Sequence, residues 1–406
     1  MILSKRTHHP GKTKGRIQSP KNSQPLLSFS TGGLISTTSH WHTDAMFDRT
    51  QLLETISGHR KGIVAVLIRT SLGCATPIYR TVIYLRNKKF DIAIKRVNKK
   101  IIRNAGIPVL SVGNLTTGGT GKTPMVIWIT KRLRSYGMRV ALVSRGYGSE
   151  ARNGVDGPND EALEMEHRLP DAPHLQDPDR YRMTQIAFHE LDSEIIVLDD
   201  AFQHRQLARD LDIVLIDATA PFGFNRLLPR GLLREPLNSL SRSDLIVLTR
   251  VHLISIANRN AIVQKIKRYA PNIPIAETRI RASHLLQFDG QTEEIAKLKG
   301  QPVFIFCGIG NPENFKLSLE KLNCDSVGFE RYPDHYHYQR SDLEHIKDSA
   351  QANGAAMIVC THKDLVKIGT NRLGGIPVYA MVVDVEFLSG EKEVEEHLKK
   401  FAQPQD

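Results

Sequence analysis

Residues 116–123 read Thr-Thr-Gly-Gly-Thr-Gly-Lys-Thr, between a short apolar run, Pro108 to Val112, and a stretch with helical spacing. A strand, then a glycine-rich turn, then a helix is the setting in which such a motif cradles phosphate. Gly118, Gly119 and Gly121 let backbone N–H groups curl around an anion, and the following helix N-terminus adds a favourable dipole. Thr116, Thr117 and Thr120 complete the loop. Lys122 is placed to reach the β- and γ-phosphates of a nucleotide, and the Thr123 hydroxyl to ligate Mg²⁺. The usual pattern begins with Gly where this chain has Thr116.

A nucleotide-bound metal needs an acidic group from the end of a neighbouring strand. The segment Glu194-Ile-Ile-Val-Leu-Asp-Asp200 has that form, so Asp199 and Asp200 are the candidate metal ligands, with Phe202-Gln203-His204 beside them. A GTPase would also need Asn/Thr-Lys-x-Asp for base reading. In Thr361-His-Lys-Asp364 the lysine stands one place too late, which counts against that class. Ser144-Arg-Gly-Tyr-Gly148, Asp160-Glu161, Leu228-Pro-Arg-Gly-Leu-Leu-Arg-Glu-Pro236 and Asp334-His-Tyr336 are further ionisable clusters in expected loops, where catalytic groups concentrate.

These residues must be held by elements, and the periodicity places them. Val140 to Val143, Ile195 to Leu198, Ile213 to Ile216 and Leu245 to Leu248 read as buried strands, with helices over Thr123 to Tyr136, Asp179 to Leu191 and Ile254 to Tyr269. Continuously apolar strands alternating with helices imply a parallel sheet covered on both faces. The pattern loosens around 276–290. A second series then opens with Val303 to Cys307, Met357 to Cys360 and Val378 to Val383. The expected organisation is a tail over 1–45, a basic helical segment over 46–106, a phosphate-loop domain over 107–275 and a smaller α/β domain over 276–406.

With 406 residues, 40% hydrophobic and 24% charged, the chain is globular rather than fibrous or disordered in bulk. Its four cysteines, Cys74, Cys307, Cys324 and Cys360, form no C-x-x-C, so neither a disulfide framework nor a zinc ribbon is expected, and a reducing cytosol fits. The net charge of +12 is uneven: residues 1–106 hold 19 Lys and Arg against 4 Asp and Glu, and the remainder 36 against 39. The body of the chain therefore lacks the charge of a nucleic-acid binder, and the basic appendage points to an anionic surface. Residues 1–45 have no periodicity and read as disordered, or as the product of a start codon assigned upstream of Met46. They do not resemble a secretory signal. Residues 62–87 are apolar but broken by Arg69, Pro77, Arg80 and Arg86, and Thr70 to Tyr79 is the longest charge-free run. Spanning takes about 20 apolar residues, so the segment is expected to lie in a membrane interface, its basic flank, Lys88 to Arg103, on anionic headgroups. A core helix pair with a solvated basic face is the competing reading.

Taken in order, SVGNLTTGGTGKTP (111–124), SRGYG, Asp160-Glu161, LDDAFQH (198–204), LLPRGLLREP, GIGNP (308–312), Asp334-His-Tyr336 and Thr361-His-Lys-Asp364 resemble the tetraacyldisaccharide 4'-kinase family, from about Met46 to near the C-terminus. The resemblance implies a RecA-like P-loop kinase that uses ATP and Mg²⁺ to phosphorylate the 4'-hydroxyl of a tetraacyldisaccharide 1-phosphate in lipid A biosynthesis. It implies a peripheral or monotopic seat on the cytoplasmic face of the inner membrane, a lipid substrate, and no obligate protein partner. It also singles out Arg234 and Glu235 beside the phosphate loop, with Arg234 favoured as a phosphate contact over a structural ion pair. Asp160 is singled out as the base and His335 as the group that positions or tunes it. This chain departs from the family at Ala162, at Ala201 and at Phe222-Gly-Phe-Asn225, which bear on turn geometry. The rival is a P-loop ATPase or GTPase switch of the metallochaperone or partition type, which shares Lys122, Thr123 and Asp199 but needs no acceptor-side acid/base pair.

Overall fold

The structure, a computed structural model, describes residues 49–146, 160–334 and 336–403. The tail expected over 1–45 lies outside the described residues. Helices α1 (Arg49–Ser57) and α2 (Ile63–Lys95) precede β1 (Val109–Asn114), α3 (Lys122–Ser135), β2 (Val140–Ser144), α4 (Asp160–Arg168), β3 (His174–Gln176), α5 (Arg180–His189), β4 (Ile195–Asp199), β5 (Leu211–Asp217), β6 (Leu245–Thr249) and α6 (Ile256–Tyr269). The chain continues through β7 (Ile275–Leu286), β8 (Thr292–Glu294), β9 (Pro302–Cys307), α7 (Pro312–Glu320), β10 (Asp325–Arg331), α8 (Arg340–Ala352), β11 (Met357–Thr361), α9 (His362–Ile368), β12 (Arg372–Leu373), β13 (Ile376–Ser389) and α10 (Glu391–Ala402).

The strands form one sheet in the order β10-β9-β11-β13-β7-β6-β5-β1-β4-β2-β3, with β8 and β12 as short additions on β7 and β13. From β7 to β3 every pairing is parallel, and so is every pairing from β13 to β10. The two parallel runs meet at a long antiparallel seam, β7 on β13, with Ala380 opposite Leu286 and Ser389 opposite Glu277. The loosened pattern around 276–290 is therefore a strand. Arg279 and Arg281 alternate with Ile280 and Ala282 on a stretch of β7 that is only partly covered, and the buried Glu277 is held by Arg259.

Alternation explains why the central strands are apolar throughout. Leu110, Val197, Ile213 and Val247 enter the core under α3, with Met125, Ile129 and Leu133. Their neighbours Ile196 and Leu198 enter a second cluster, and Val214, Ile246 and Leu248 a third, on the other face. Both faces are thus buried, as a parallel sheet requires. Gly113 lets β1 lie against the loop after β4, since a Cβ there would stand 2.6 Å from the Phe202 amide nitrogen.

The segment around 62–87 is one helix, α2, of 33 residues with Pro77 inside it. Among the described residues no helix is long and apolar enough to cross a membrane. Ala65, Ile83, Phe90 and Ala93 of α2 are buried. Ile63, Val64, Leu67, Ile78, Val82 and Leu85 are exposed, Ile63 by 81% and Ile78 by 70%. At 3.6 residues per turn those six fall on one flank of the helix.

Candidate active site

β1 ends at Asn114 and α3 begins at Lys122, so the turn between them is the expected glycine-rich loop. Gly118 (φ 121°) and Gly121 (φ 83°) adopt left-handed backbone that other residues resist. A Cβ at Gly118 or Gly119 would meet nothing within 4 Å, so the loop is open where an anion would approach. The loop is tied from outside. Asn114 Nδ2 donates to Thr120 Oγ1 (3.1 Å), Thr249 Oγ1 to the Thr120 carbonyl (3.0 Å) and Arg250 Nη1 to the Gly119 carbonyl (2.9 Å). Thr116 and Thr123 are buried.

Asp199 closes β4, next to β1, and Asp200 follows at φ 48°. Lys122 Nζ lies 3.7 Å from Asp200 Oδ1, and Arg234 Nη1 donates to both Asp200 carboxylate oxygens at 3.0 Å. Arg180, itself buried, donates to the carbonyls of Asp199 (3.1 Å) and Asp200 (3.2 Å). Burial alone would raise the Asp200 carboxyl. Lys122, Arg234 and Arg180 outweigh that and hold it below the usual carboxylate range. Asp200 is thus an anion among three cations, and Arg234 is held in an ion pair with it.

The Leu228 to Pro236 loop reaches this place by zipping against the phosphate-loop approach. Thr117 N donates to the Leu232 carbonyl (2.8 Å) and Arg234 N to the Leu115 carbonyl (2.7 Å). Glu235 turns the other way. It is fully buried, and its Oε2 accepts from Arg242 Nη1 (2.9 Å) and Asn87 Nδ2 (3.0 Å). Gln203 Nε2 donates to the Asn114 carbonyl (2.8 Å), and Arg234 Nη1 is 3.3 Å from Gln203 Oε1. His204 is pushed down to about 4 by burial, then by Arg180 and Arg209, and is neutral at pH 7.

The backbone of Asp160 opens α4, whereas its side chain, the Tyr147-Gly148 end of SRGYG and His335 lie outside the described residues. Their surroundings are described. Ser144 meets His174, Oγ to Nε2 at 2.9 Å, and burial pushes His174 down to about 4. Helix α4 is fastened to α9 by His362 Nε2 on His167 Nδ1 (2.9 Å). Asp364, fully buried, accepts from Gly308 N (3.2 Å), Tyr338 Oη (2.9 Å) and Thr361 Oγ1 (2.6 Å), so Thr361-His-Lys-Asp364 ties the loop after β9 to the segment between β10 and α8.

Sequence reasoning missed Arg180, Arg250 and His174. Arg250 directly follows β6, at the carboxyl edge of the sheet where ligands of such folds bind, and that position was its one available signal. Among the described residues no cluster of three His, Cys, Asp or Glu suited to a metal is present. Magnesium at a nucleotide takes only one or two carboxylates beside phosphate oxygens and water, so the lack of such a cluster does not bear on the expected ligands Thr123, Asp199 and Asp200.

The family model for tetraacyldisaccharide-1-P 4'-kinase matches residues 68–403. The tetraacyldisaccharide 4'-kinase of Halothermothrix orenii is 31% identical over 379 residues, 86% of this chain and 97% of the relative. That of Syntrophus aciditrophicus is 35% identical over 329 residues, 76% of this chain and 86% of the relative. The crystal structure of LpxK from Aquifex aeolicus in complex with ATP superposes with a TM-score of 0.66 at 28% identity, covering 83% of this chain and all of that one. With the phosphate loop, the Asp200-centred cations and the α/β sheet in place, the chain belongs to the tetraacyldisaccharide 4'-kinase family.

Proposed function

We propose that the chain transfers the γ-phosphoryl of ATP to the 4'-hydroxyl of a tetraacyldisaccharide 1-phosphate. Membership of the kinase family, with Lys122, Asp200 and Arg234 gathered at the end of an open phosphate loop, carries the reading. Gly118 to Gly121 would cradle the phosphates, and Lys122 and Arg234 would face charge that grows on the transferring group. Thr123 and Asp199, with Asp200, would hold Mg²⁺, which when bound neutralises charge on the phosphate oxygens. Residues 107–275 carry the nucleotide in this reading, and 276–406 bring His335 to it. Asp160 takes the acceptor proton, with His335 positioning or tuning it.

The acceptor is a lipid, and the exposed apolar flank of α2 is the surface that suits it. Thr70, Ser71, Thr76 and Thr81 each donate back to the carbonyl four residues earlier, which leaves few hungry polar groups along the helix. With Lys88, Lys89, Lys95 and Arg96 at its basic end, α2 fits an amphipathic element lying in the headgroup region. In this reading the enzyme sits peripherally on the cytoplasmic membrane face. The test is a transfer assay with labelled ATP and tetraacyldisaccharide 1-phosphate in detergent micelles. Label in the disaccharide is expected; its absence overturns the proposal.

A further inference from the structure

One face of α2 packs on the very loops that carry Arg234 and Gln203. Tyr79 Oη donates to the Arg234 carbonyl at 2.8 Å. The amide of the same residue is held by Leu115 from the phosphate-loop side at 2.7 Å, so the peptide bearing this arginine is clamped between the phosphate loop and α2. Two turns on, Asn87 Nδ2 grips Glu235 Oε2 at 3.0 Å, the next residue of that segment, and Glu235 is buried beneath the helix. Arg86 donates to the Gln203 carbonyl, and Gln203 in turn touches both Asn114 and Arg234. Arg205, just beyond, closes the contact onto the Asn87 carbonyl (3.2 Å) and Asp91 (2.7 Å).

Tyr79, Ile83, Arg86, Asn87 and Phe90 recur at helical spacing and so share one face, distinct from the exposed flank of Ile78, Val82 and Leu85. The helix has two jobs on two faces. A detachable membrane anchor would need only the second.

We infer that Tyr79 and Asn87 are positioning residues for phosphoryl transfer, fixing the Arg234-Glu235 segment against the phosphate loop, so that α2 is part of the catalytic site as well as its lipid-facing surface. The inference rests on the kinase reading above and deepens it. Neither residue reaches the phosphate loop; each acts through Arg234 or Glu235. A shift of the order of an ångström in such a clamp is enough to slow a transfer that depends on alignment.

The experiment compares the full chain with Tyr79→Phe, which removes a hydroxyl and keeps the ring, and with Asn87→Ala. Turnover in micelles is referred to protein that binds ATP, so a poorly folded fraction does not count, and sedimentation with anionic phospholipid vesicles is measured alongside. Each variant is expected to lower kcat by about fivefold to twentyfold, with acceptor KM and vesicle binding as in the wild type. Unchanged kcat per ATP-binding protein in both variants would overturn the inference, as would a rise in acceptor KM with kcat intact, which would make this face a lipid contact only. A wild-type chain that labels no disaccharide would overturn the kinase reading, and this inference with it; an active wild type with unaffected variants would overturn the inference alone.

Discussion

Lys122 and Asp200 face each other across the mouth of the phosphate loop at 3.7 Å, and Asp200 is at the same time gripped by Arg234. The carboxylate thus holds two cations near the place where a transferring phosphoryl would develop charge, and keeps them there before any nucleotide arrives. Such preorganisation costs nothing at the moment of reaction.

Removing either side of that pair has distinct consequences. Lys122→Ala should lower kcat by about 100-fold or more, with the fold preserved, because the side chain serves charge rather than packing. Asp200→Asn should also slow transfer while leaving ATP bound, since both cations stay but lose their anchor. Steady-state kinetics beside circular dichroism check both; a Lys122→Ala enzyme within about tenfold of the wild type would contradict the assignment.

Buried neutral histidines should make the fold sensitive to mild acid. Burial pushes His174 to about 4 and His362 to about 3, and burial with neighbouring arginines pushes His204 to about 4. Unfolded, each titrates near 6.5, so the unfolded chain binds more protons on the acid side. Stability from these groups is complete above that value and is lost as pH falls from about 6.5 toward 4. Melting temperature is expected to drop between pH 7 and pH 5, and to drop less in His174→Gln. Equal acid sensitivity of the variant would remove His174 from the account.

How much of this could be read beforehand follows from how local each feature is. The phosphate loop and the Asp199-Asp200 strand end are written in contiguous residues, strand, turn and helix, and appear where the sequence places them. Strand β7 was obscure because Glu277, Arg279 and Arg281 interrupt its apolar pattern. Their partners, Arg259 for Glu277 and Glu386 for Arg279, lie 18 and 107 residues away. Arg180 and Arg250 escaped notice for a similar reason: each serves the site by reaching a backbone carbonyl on another element, and a bond to a carbonyl leaves no mark on the partner's residue type. Glu235 shows the limit of a motif. The family resemblance alone singles it out, and its side chain turns beneath α2 to Asn87 and Arg242.

The exposed flank of α2 should govern lipid contact separately from chemistry. Ile78→Ser combined with Val82→Ser removes two apolar side chains that are 70% and 56% exposed, so the fold loses little. Vesicle sedimentation should weaken and the acceptor KM in mixed micelles should rise, in keeping with ~25 cal/mol per Å² of apolar surface no longer buried in lipid. Retention of full vesicle binding by the double variant would show that this flank is not the lipid-facing one.

Asp160 and His335 stand far apart along the chain. Asp160 begins α4, and α4 is fastened to α9 through His167 and His362. Helix α9 opens at Thr361-His-Lys-Asp364, where Asp364 ties Gly308 and Tyr338 together. Helix α9 therefore bonds at one residue, His362, to the helix that begins with the proposed base and at another, Asp364, to Tyr338 in the segment that carries the proposed histidine. If the two act as one unit, their losses cannot multiply, because removing either already removes what the other supports. Asp160→Ala combined with His335→Ala should then have a kcat scarcely below that of either single variant. Each single variant should lose about 100-fold to 10,000-fold, the range for a positioned proton acceptor. Losses that multiply in the double variant would show that Asp160 and His335 serve transfer independently.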